Sequence, residues 1–365
     1  MRSLQGSEQR EPMRDTTPCR DGKGESRQAV GREPFLLAPA GKDYLWGGRR
    51  LRDDFSKDLD LTPLAETWEC STHPDGESRV ASGSLAGETL PELVTAHPEI
   101  LGTHARENQT AEGQIPILIK LIDANRDLSV QVHPDDAYAR EHENGSLGKD
   151  EMWYVVDAKE GAELVYGFTR DMTEPLVRKA LTDGTIGRYL QRVPVHRGDV
   201  FYIKAGTVHA IGAGALICEV QESSNLTYRL YDYDRVDKNG KKRPLQIDKA
   251  LEVASLVHAS APRQPLRVLH YHPGFATEFL CRCRYFEVER LLLNTERVRD
   301  LARLKAPSTS FVVLLCTRGC GVLFYENEAG HEESLRFFRG DSMFLPAGGR
   351  EVLIHGQAEL LKVNC

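Results

Sequence analysis

The stretch Leu128–Tyr154, LSVQVHPDDAYAREHENGSLGKDEMWY, decides how the rest of this 365-residue chain is read. It opens as an alternating strand on which Gln131 and His133 stand two apart, so their side chains face the same way. Pro134, Asp135 and Asp136 end that strand. DDAYAREHENG then reads as a short helix closed by Gly145, with the two acids as turn and cap residues rather than ligands. A second strand begins at Glu151. Downstream, GDVFYIKAGTVHAIG supplies His209 just after a turn at Gly206. One amide oxygen, two imidazoles and one carboxylate suit a divalent metal such as zinc. A set with no thiolate and room for water suits a catalytic rather than a structural ion.

Composition narrows the classes. At 365 residues the chain can bury a sizeable core and is long enough for two domains. A net charge of −7 and a pI near 6.0 exclude a global basic field for nucleic acid or anionic membrane. No apolar run reaches the roughly 20 residues of a spanning helix. The N-terminus has no signal-type apolar segment, so a soluble cytoplasmic protein is expected. The eight cysteines do not make a disulfide scaffold, and Cys281 and Cys283 have no partner pair at zinc-ribbon spacing. Residues 1–32 are polar and without hydrophobic period, and predict a disordered extension with Met13 as an alternative start.

From Glu33 onward the signals are mostly those of strands. PFLLAP reads as a short strand and Trp46-Gly47-Gly48 as a tight turn beside an aromatic anchor. TWECSTHPDGESRV has the pattern of a hairpin, and LPELVTAHPEILG that of a helix stopped by glycine. The apolar run Ile117–Ile122 is interrupted by Lys120. That lysine either snorkels from an edge or meets an anion or carboxylate facing a cavity. EPLVRKALTDGTIGRYLQ predicts two short helices split at Gly184, and DKALEVASLV a last helix before a boundary near residue 258. KNGKKRPL is a turn signal. Residues 259–365 are nearly all strand-like, which indicates a sandwich or barrel. At an offset of 142 residues, GDVFYIKAGTVH is echoed by GDSMFLPAGGRE, which suggests two β-barrels of one type. His209 falls opposite Glu351, and no His-x-Pro strand precedes the second copy. A metal-binding domain over 33–258 and a metal-free barrel over 259–365 are therefore expected.

The motifs WGG, TWECS, IKLIDA with LSVQVHPDD, GKDEMWYV, GTVHAIGAG and SSNLTYRLYDYDR resemble those of type I mannose-6-phosphate isomerases in their short bacterial form. The resemblance runs from about Glu33 to Cys365 in the family's order and spacing. It implies a mainly β protein of two cupin, jelly-roll-like β-barrels with a small helical portion. It also implies reversible interconversion of mannose 6-phosphate and fructose 6-phosphate with one zinc per chain. Gln131, His133, Glu151 and His209 match the family's metal ligands. Lys120, Ser129 and Lys149 match positions lining its sugar-phosphate pocket. Glu219, Asn225 and Arg229 fall in the segment closing that pocket, with Arg229 at the catalytic arginine. Lys204 stands where many cupins place proline, which loosens the turn before His209 but keeps the histidine in register.

Aldose–ketose isomerisation moves a proton between C1 and C2 through an enediol(ate). Zinc can polarise the carbonyl as a Lewis acid, and Arg229 can stabilise the oxyanion. Lys149 and Glu219 are the candidates for the general acid/base. Lys120, Ser129 and Asn225 are candidates for binding the substrate and its phosphate. The chain has no Gly-rich phosphate loop, which argues against nucleotide use. The expected partner is a small sugar phosphate, not nucleic acid or membrane, for a monomer or homodimer. Two other classes compete: a non-catalytic cupin that binds or senses sugar phosphates, and a metal-dependent cupin oxygenase. Retention of Arg229 and the acid/base candidates speaks against the first. The sugar-phosphate residues speak against the second.

Overall fold

The computed structural model describes residues 32–365, except 110, 237–239, 261, 263, 265, 266 and 299. The extension expected over 1–32 lies, but for Arg32, outside the described residues. The described chain is mainly antiparallel β, in three sheets.

Two of the sheets build the site. A six-stranded sheet runs Val200–Ile203, Glu151–Ala158, Ala215–Glu222, Ile117–Asp123, Glu66–Cys70, Ala40–Lys42. A five-stranded sheet runs Tyr228–Tyr231, Val130–Val132, His209–Ile211, Glu163–Phe168, Leu190–Pro194. They share one core, to which the first contributes Ile122, Trp153 and Ile217 and the second Leu164 and Ile211. On the other face of the five-stranded sheet, Val130 and Val132 pack with Val177 and Ala180 of helix Glu174–Thr182. Ala250 and Leu251 of helix Ile247–Val253 join them. Burying each such valine is worth about 1.5–3 kcal/mol, and the two-residue period then turns Gln131 to the inner face. A one-residue slip would exchange these faces, so the apolar pattern fixes the register of the metal strand.

The loops between these strands follow the sequence reading closely. Asp135 caps helix Asp136–His142, its side chain accepting from the Tyr138 N–H. Thr89 and Glu92 form a capping box on helix Leu90–Ala96. At the Trp46-Gly47-Gly48 turn, a Cβ on Gly47 would sit 2.5 Å from Ala65, and one on Gly48 2.2 Å from Asp123 Oδ2. Only glycine lets this loop lie against the sheet, with Trp46 in the core and Tyr44 beside it.

The third sheet has ten strands and holds all the strands from Leu269 onward. It also holds two from the N-terminal region: Phe35–Ala38 pairs with Ser342–Leu345, and Arg79–Val80 pairs with Phe35–Ala38. The hairpin expected in TWECSTHPDGESRV is therefore not formed. The turn exists, with Gly76 N–H donating to His73 O at 2.9 Å, but Glu66–Cys70 and Arg79–Val80 belong to different sheets. Ser78 Oγ donates to Trp68 O and accepts from the Ser71 N–H, doing with a hydroxyl what a ladder would do. The sheets are joined through buried Glu69, which accepts from Lys57 Nζ at 2.7 Å and from Ser342 Oγ at 3.0 Å.

The internal echo is visible in the turns. Gly198 and Gly340 both have positive φ (90° and 100°), as do Gly206 and Gly348 (86° and 64°). Glu351, opposite His209 in that alignment, is half-exposed and pairs with Arg303 at 2.9 Å.

Candidate metal centre and its cavity

Three side chains able to ligate a metal converge: Glu151 and His209 from the first positions of two strands, and His133 from the residue just after Val130–Val132. His133 Nε2 lies 3.2 Å from Glu151 Oε1, and His209 Nε2 lies 3.8 Å from Glu151 Oε2. Together with Glu151 the two histidines are the group among the described residues whose ligand atoms all fall within 4.8 Å. All three are buried. Each imidazole is oriented by its other nitrogen: His133 Nδ1 donates to Leu226 O and His209 Nδ1 to Thr207 O, both at 2.8 Å. That leaves both Nε2 atoms as unprotonated lone pairs aimed at the same volume. Burial pushes His133 down to about 3, with Lys149 adding to the effect, and burial also lowers His209. Burial opposes ionisation of Glu151, but the Lys149 ammonium and His133 outweigh it and hold the carboxyl well below its ordinary range. Neutral imidazoles and a carboxylate are the protonation states a divalent cation requires.

The buried atoms support the same conclusion. His133 Nε2 and both Glu151 oxygens make no aligned hydrogen bond among the described residues. Lys149 Nζ approaches Glu151 Oε1 to 2.5 Å without that alignment. Buried polar groups without partners are costly, and a cation bound among them would satisfy all three. Gln131 stands directly across from His209 in the strand pairing, with its amide 3.4 Å from His209 Nε2. As placed, Nε2 is turned inward and Oε1 accepts from Ser129 Oγ at 3.5 Å. A half-turn of the amide would exchange the two atoms and turn the oxygen toward His209 Nε2.

The turn before His209 keeps its register despite Lys204. Thr207 N–H donates to Lys204 O, and the Gly206 N–H donates to His133 O at 2.8 Å. Asp150, the residue just before the strand Glu151–Ala158, fixes the same turn. Its carboxylate accepts from the Ala205 N–H at 2.7 Å and from Tyr202 OH at 2.5 Å.

Beside the metal group, a row of side chains crosses the six-stranded sheet. The register sets Trp68, Lys120, Glu219 and Trp153 side by side on four adjacent strands. Lys120 Nζ donates to Glu219 Oε1 at 3.0 Å and sits 5.1 Å from the Trp68 ring centroid. Trp153 Nε1 donates to Glu219 Oε2 at 2.9 Å. Lys120 thus neither snorkels nor occupies an edge; it meets a buried carboxylate. Burial works against its charge, but Glu219, Glu66 and Glu151 more than offset this and raise its pKa.

A cavity open to solvent, with an enclosed volume of about 70 Å³, lies over this row. Its walls include Lys120, Ser129, Gln131, Lys149, Glu219, Asn225 and Arg229, so the substrate and catalytic candidates come together in one place. Asn225 also donates to Asp75 Oδ2 at 2.7 Å. Arg229 is the cross-strand neighbour of Gln131, and Gln246 braces its backbone on both sides. Its Nε is buried without a hydrogen-bond partner, and burial lowers its pKa. Four further wall residues with polar groups escaped the sequence reading: Tyr44, Glu66, Thr227 and Arg243. Glu66 and Thr227 lie two positions from Trp68 and Arg229, so strand period was a usable signal for both.

The profile of the type I phosphomannose isomerase catalytic domain matches residues 35–175. The mannose-6-phosphate isomerase ManA of Bacillus subtilis (strain 168) is 38% identical over 332 residues, covering 90% of this chain and 98% of ManA. A mannose-6-phosphate isomerase of Streptococcus mutans is 44% identical over 224 residues, 61% of this chain and 68% of that protein. The crystal structure of the Bacillus subtilis mannose 6-phosphate isomerase superposes with a TM-score of 0.80 at 34% identity. It covers 90% of this chain and 99% of that one. A mannose 6-phosphate isomerase solved with zinc and yttrium shares the fold at 17% identity and a TM-score of 0.66, over 90% of this chain and 98% of that one.

Proposed function

The chain belongs to the type I mannose-6-phosphate isomerases, and on that premise we propose that it interconverts D-mannose 6-phosphate and D-fructose 6-phosphate. The observation that carries this reading is the junction of a buried His133–Glu151–His209 group with a cavity walled by Lys120, Lys149, Glu219 and Arg229. We assign His133, Glu151, His209 and Gln131 as ligands of one zinc ion. A zinc ion bound there supplies a Lewis acid for the sugar's carbonyl oxygen.

The chain's own groups do the rest. In the aldose-to-ketose direction a proton leaves C2 and returns to C1, with the electron pair held meanwhile in an enediol(ate). Lys149 Nζ, 3.9 Å from Glu219 Oε1, and Glu219 itself are the groups placed to carry that proton and to open the sugar ring. Arg229 puts a permanent positive charge beside Gln131, where oxyanion charge would develop. Lys120, Ser129 and Asn225 contact the substrate from the walls.

The same reading takes residues 33–258 as the metal-binding unit, with Phe35–Ala38 and Arg79–Val80 lent to the other sheet, and 259–365 as a metal-free unit. Among the described residues no helix is long and apolar enough to cross a membrane. We place the enzyme in the cytoplasm, as a monomer or homodimer acting on a small sugar phosphate without nucleic acid or membrane. A coupled assay of mannose 6-phosphate to fructose 6-phosphate tests the activity. Turnover should vanish with a chelator and return with zinc, at a stoichiometry near one per chain. No turnover by the zinc-loaded protein would refute the isomerase reading, and two zinc ions per chain would refute the metal-free unit.

A further inference from the structure

The substrate of that proposed reaction carries a phosphate dianion, and the two walls of the cavity offer it different charge. On the wall of the six-stranded sheet the cations are already matched. Lys120 is paired with Glu219 at 3.0 Å, with Glu66 also nearby, and Lys149 is paired with Glu151 at 2.5 Å. Both ammonium groups are nearly sealed, at 5% and 4% side-chain exposure.

The opposite wall carries an excess of arginine. Arg229 lines it with a guanidinium that holds no carboxylate within ion-pair distance among the described residues. Arg243 and Arg235 share a single buried acid, Asp232. The other acid of this loop among the described residues, Asp234, is taken by Lys242 at 2.6 Å. The Asp127 carboxylate accepts the Ala213 N–H, while its backbone carbonyl receives Arg235. Among the described residues, the two arginines of this wall, Arg229 and Arg243, are set against the single carboxylate of Asp232, which Arg235 also shares, and this leaves the wall positive.

Arg243 is held in a specific way. Its Nε donates to Asp232 Oδ2 at 2.8 Å and its Nη2 to Asp232 Oδ1 at 2.5 Å. This two-pronged grip fixes the plane of the guanidinium and leaves Nη1 uncommitted. At 21% side-chain exposure Arg243 is more open to solvent than either lysine, and it lines the cavity. Asp232 therefore works as a bracket: it orients one arginine edge and cannot neutralise three cations.

We infer that Arg243, oriented by Asp232 and assisted by Arg229, is the phosphate anchor of the substrate, while Lys120 serves mainly to set Glu219. The inference rests on the isomerase reading for the identity of the ligand, but its chemistry is that of any phosphomonoester or phosphate dianion. A fixed guanidinium edge beside a second guanidinium suits the two-oxygen recognition of a phosphate better than a lysine already paired with glutamate.

Two measurements on the zinc-loaded full chain test this in wild type, Arg243→Ala, Arg243→Lys and Lys120→Met. The first is KM and kcat for mannose 6-phosphate; the second is a calorimetric titration with inorganic phosphate, which needs no turnover. Arg243→Ala should raise KM at least tenfold with a smaller change in kcat, and weaken inorganic phosphate by a similar factor. Arg243→Lys, which keeps the charge but not the fork, should fall between. A raised KM with unchanged phosphate affinity would show that Arg243 acts only through the fold and would overturn the assignment. So would phosphate binding lost in Lys120→Met but kept in Arg243→Ala, or wild type that binds no phosphate. If wild type binds phosphate through Arg243 but does not turn over mannose 6-phosphate, the isomerase reading falls and the anchor stands.

Discussion

Lys120 and Glu219 are cross-strand partners whose side chains meet at 3.0 Å inside the shared core of two sheets. Both side chains are only 5% exposed, so each charge depends heavily on the other. Trp153 adds a second donor to Glu219, and Trp68 lies over the ammonium. Lys149 reaches from the metal group to 3.9 Å from the same carboxylate, which places Glu219 at the junction of the metal and the substrate cavity.

That dependence is measurable. Glu219→Gln leaves a buried ammonium without its acid, and loss of one member of a buried pair typically costs about 3–5 kcal/mol. We expect denaturant unfolding to show a loss of that order for Glu219→Gln. The double variant Lys120→Met/Glu219→Gln should recover much of it, because no lone charge remains. If the double variant is as unstable as the sum of the singles, the pair does not act as a unit.

Asp150 offers a second test, directed at the metal group. Its carboxylate pins Ala205 and Tyr202, and so holds the turn whose Thr207 carbonyl orients His209. Outer hydrogen bonds of this kind commonly carry about 10–100-fold in metal affinity. Asp150→Ala should therefore release zinc to a competing chelator at a correspondingly lower chelator concentration. Tyr202→Phe, which removes one of the two contacts, should show a smaller shift. Unchanged zinc retention in Asp150→Ala would mean the turn is held by its own backbone bonds.

The metal strand was legible because local rules converge on it: a two-residue period, a Pro-Asp stop and a glycine turn before His209. The partner of Lys120 was not, since Glu219 lies 99 residues away and only the register of two strands sets them opposite. TWECSTHPDGESRV was read as a hairpin because its turn residues are real. What the pattern cannot express is that the Ser78 hydroxyl satisfies the Ser71 N–H and the Trp68 carbonyl while Arg79–Val80 pairs in another sheet. Arg243 was hidden for a similar reason. KNGKKRPL reads as a turn, and only the fold brings its arginine back to Asp232 and the cavity.

Arg229 should separate binding from chemistry. Removing one well-placed donor to a developing oxyanion costs about 10²–10³ in kcat in comparable sites. Arg229→Ala is expected to lose activity on that scale in the coupled assay while keeping its zinc content, since Gln131 is held by its own strand. Activity left largely intact would remove the oxyanion role from Arg229.

A last expectation concerns pH. Glu222 is buried, and burial pushes its carboxyl up to about 9, with Asp136 and Asp150 adding to the rise and the Asp150 N–H opposing it. Its Oε1 accepts that N–H at 2.9 Å, and Asp136 faces the carboxyl as an acceptor for its proton. The folded chain therefore keeps a proton that the unfolded chain gives up near 4.5. Between those two values the native state binds more protons, so this group's contribution to stability is whole below 4.5. It declines as pH rises and is exhausted above about 9. Glu222→Gln keeps an acceptor for the Asp150 N–H and gains N–H groups that can face Asp136, with no proton to lose. Thermal unfolding should show the variant gaining on wild type steadily from pH 5 to pH 9 and by a constant margin above. A margin independent of pH across that window would mean that Glu222 is ionised in the folded protein.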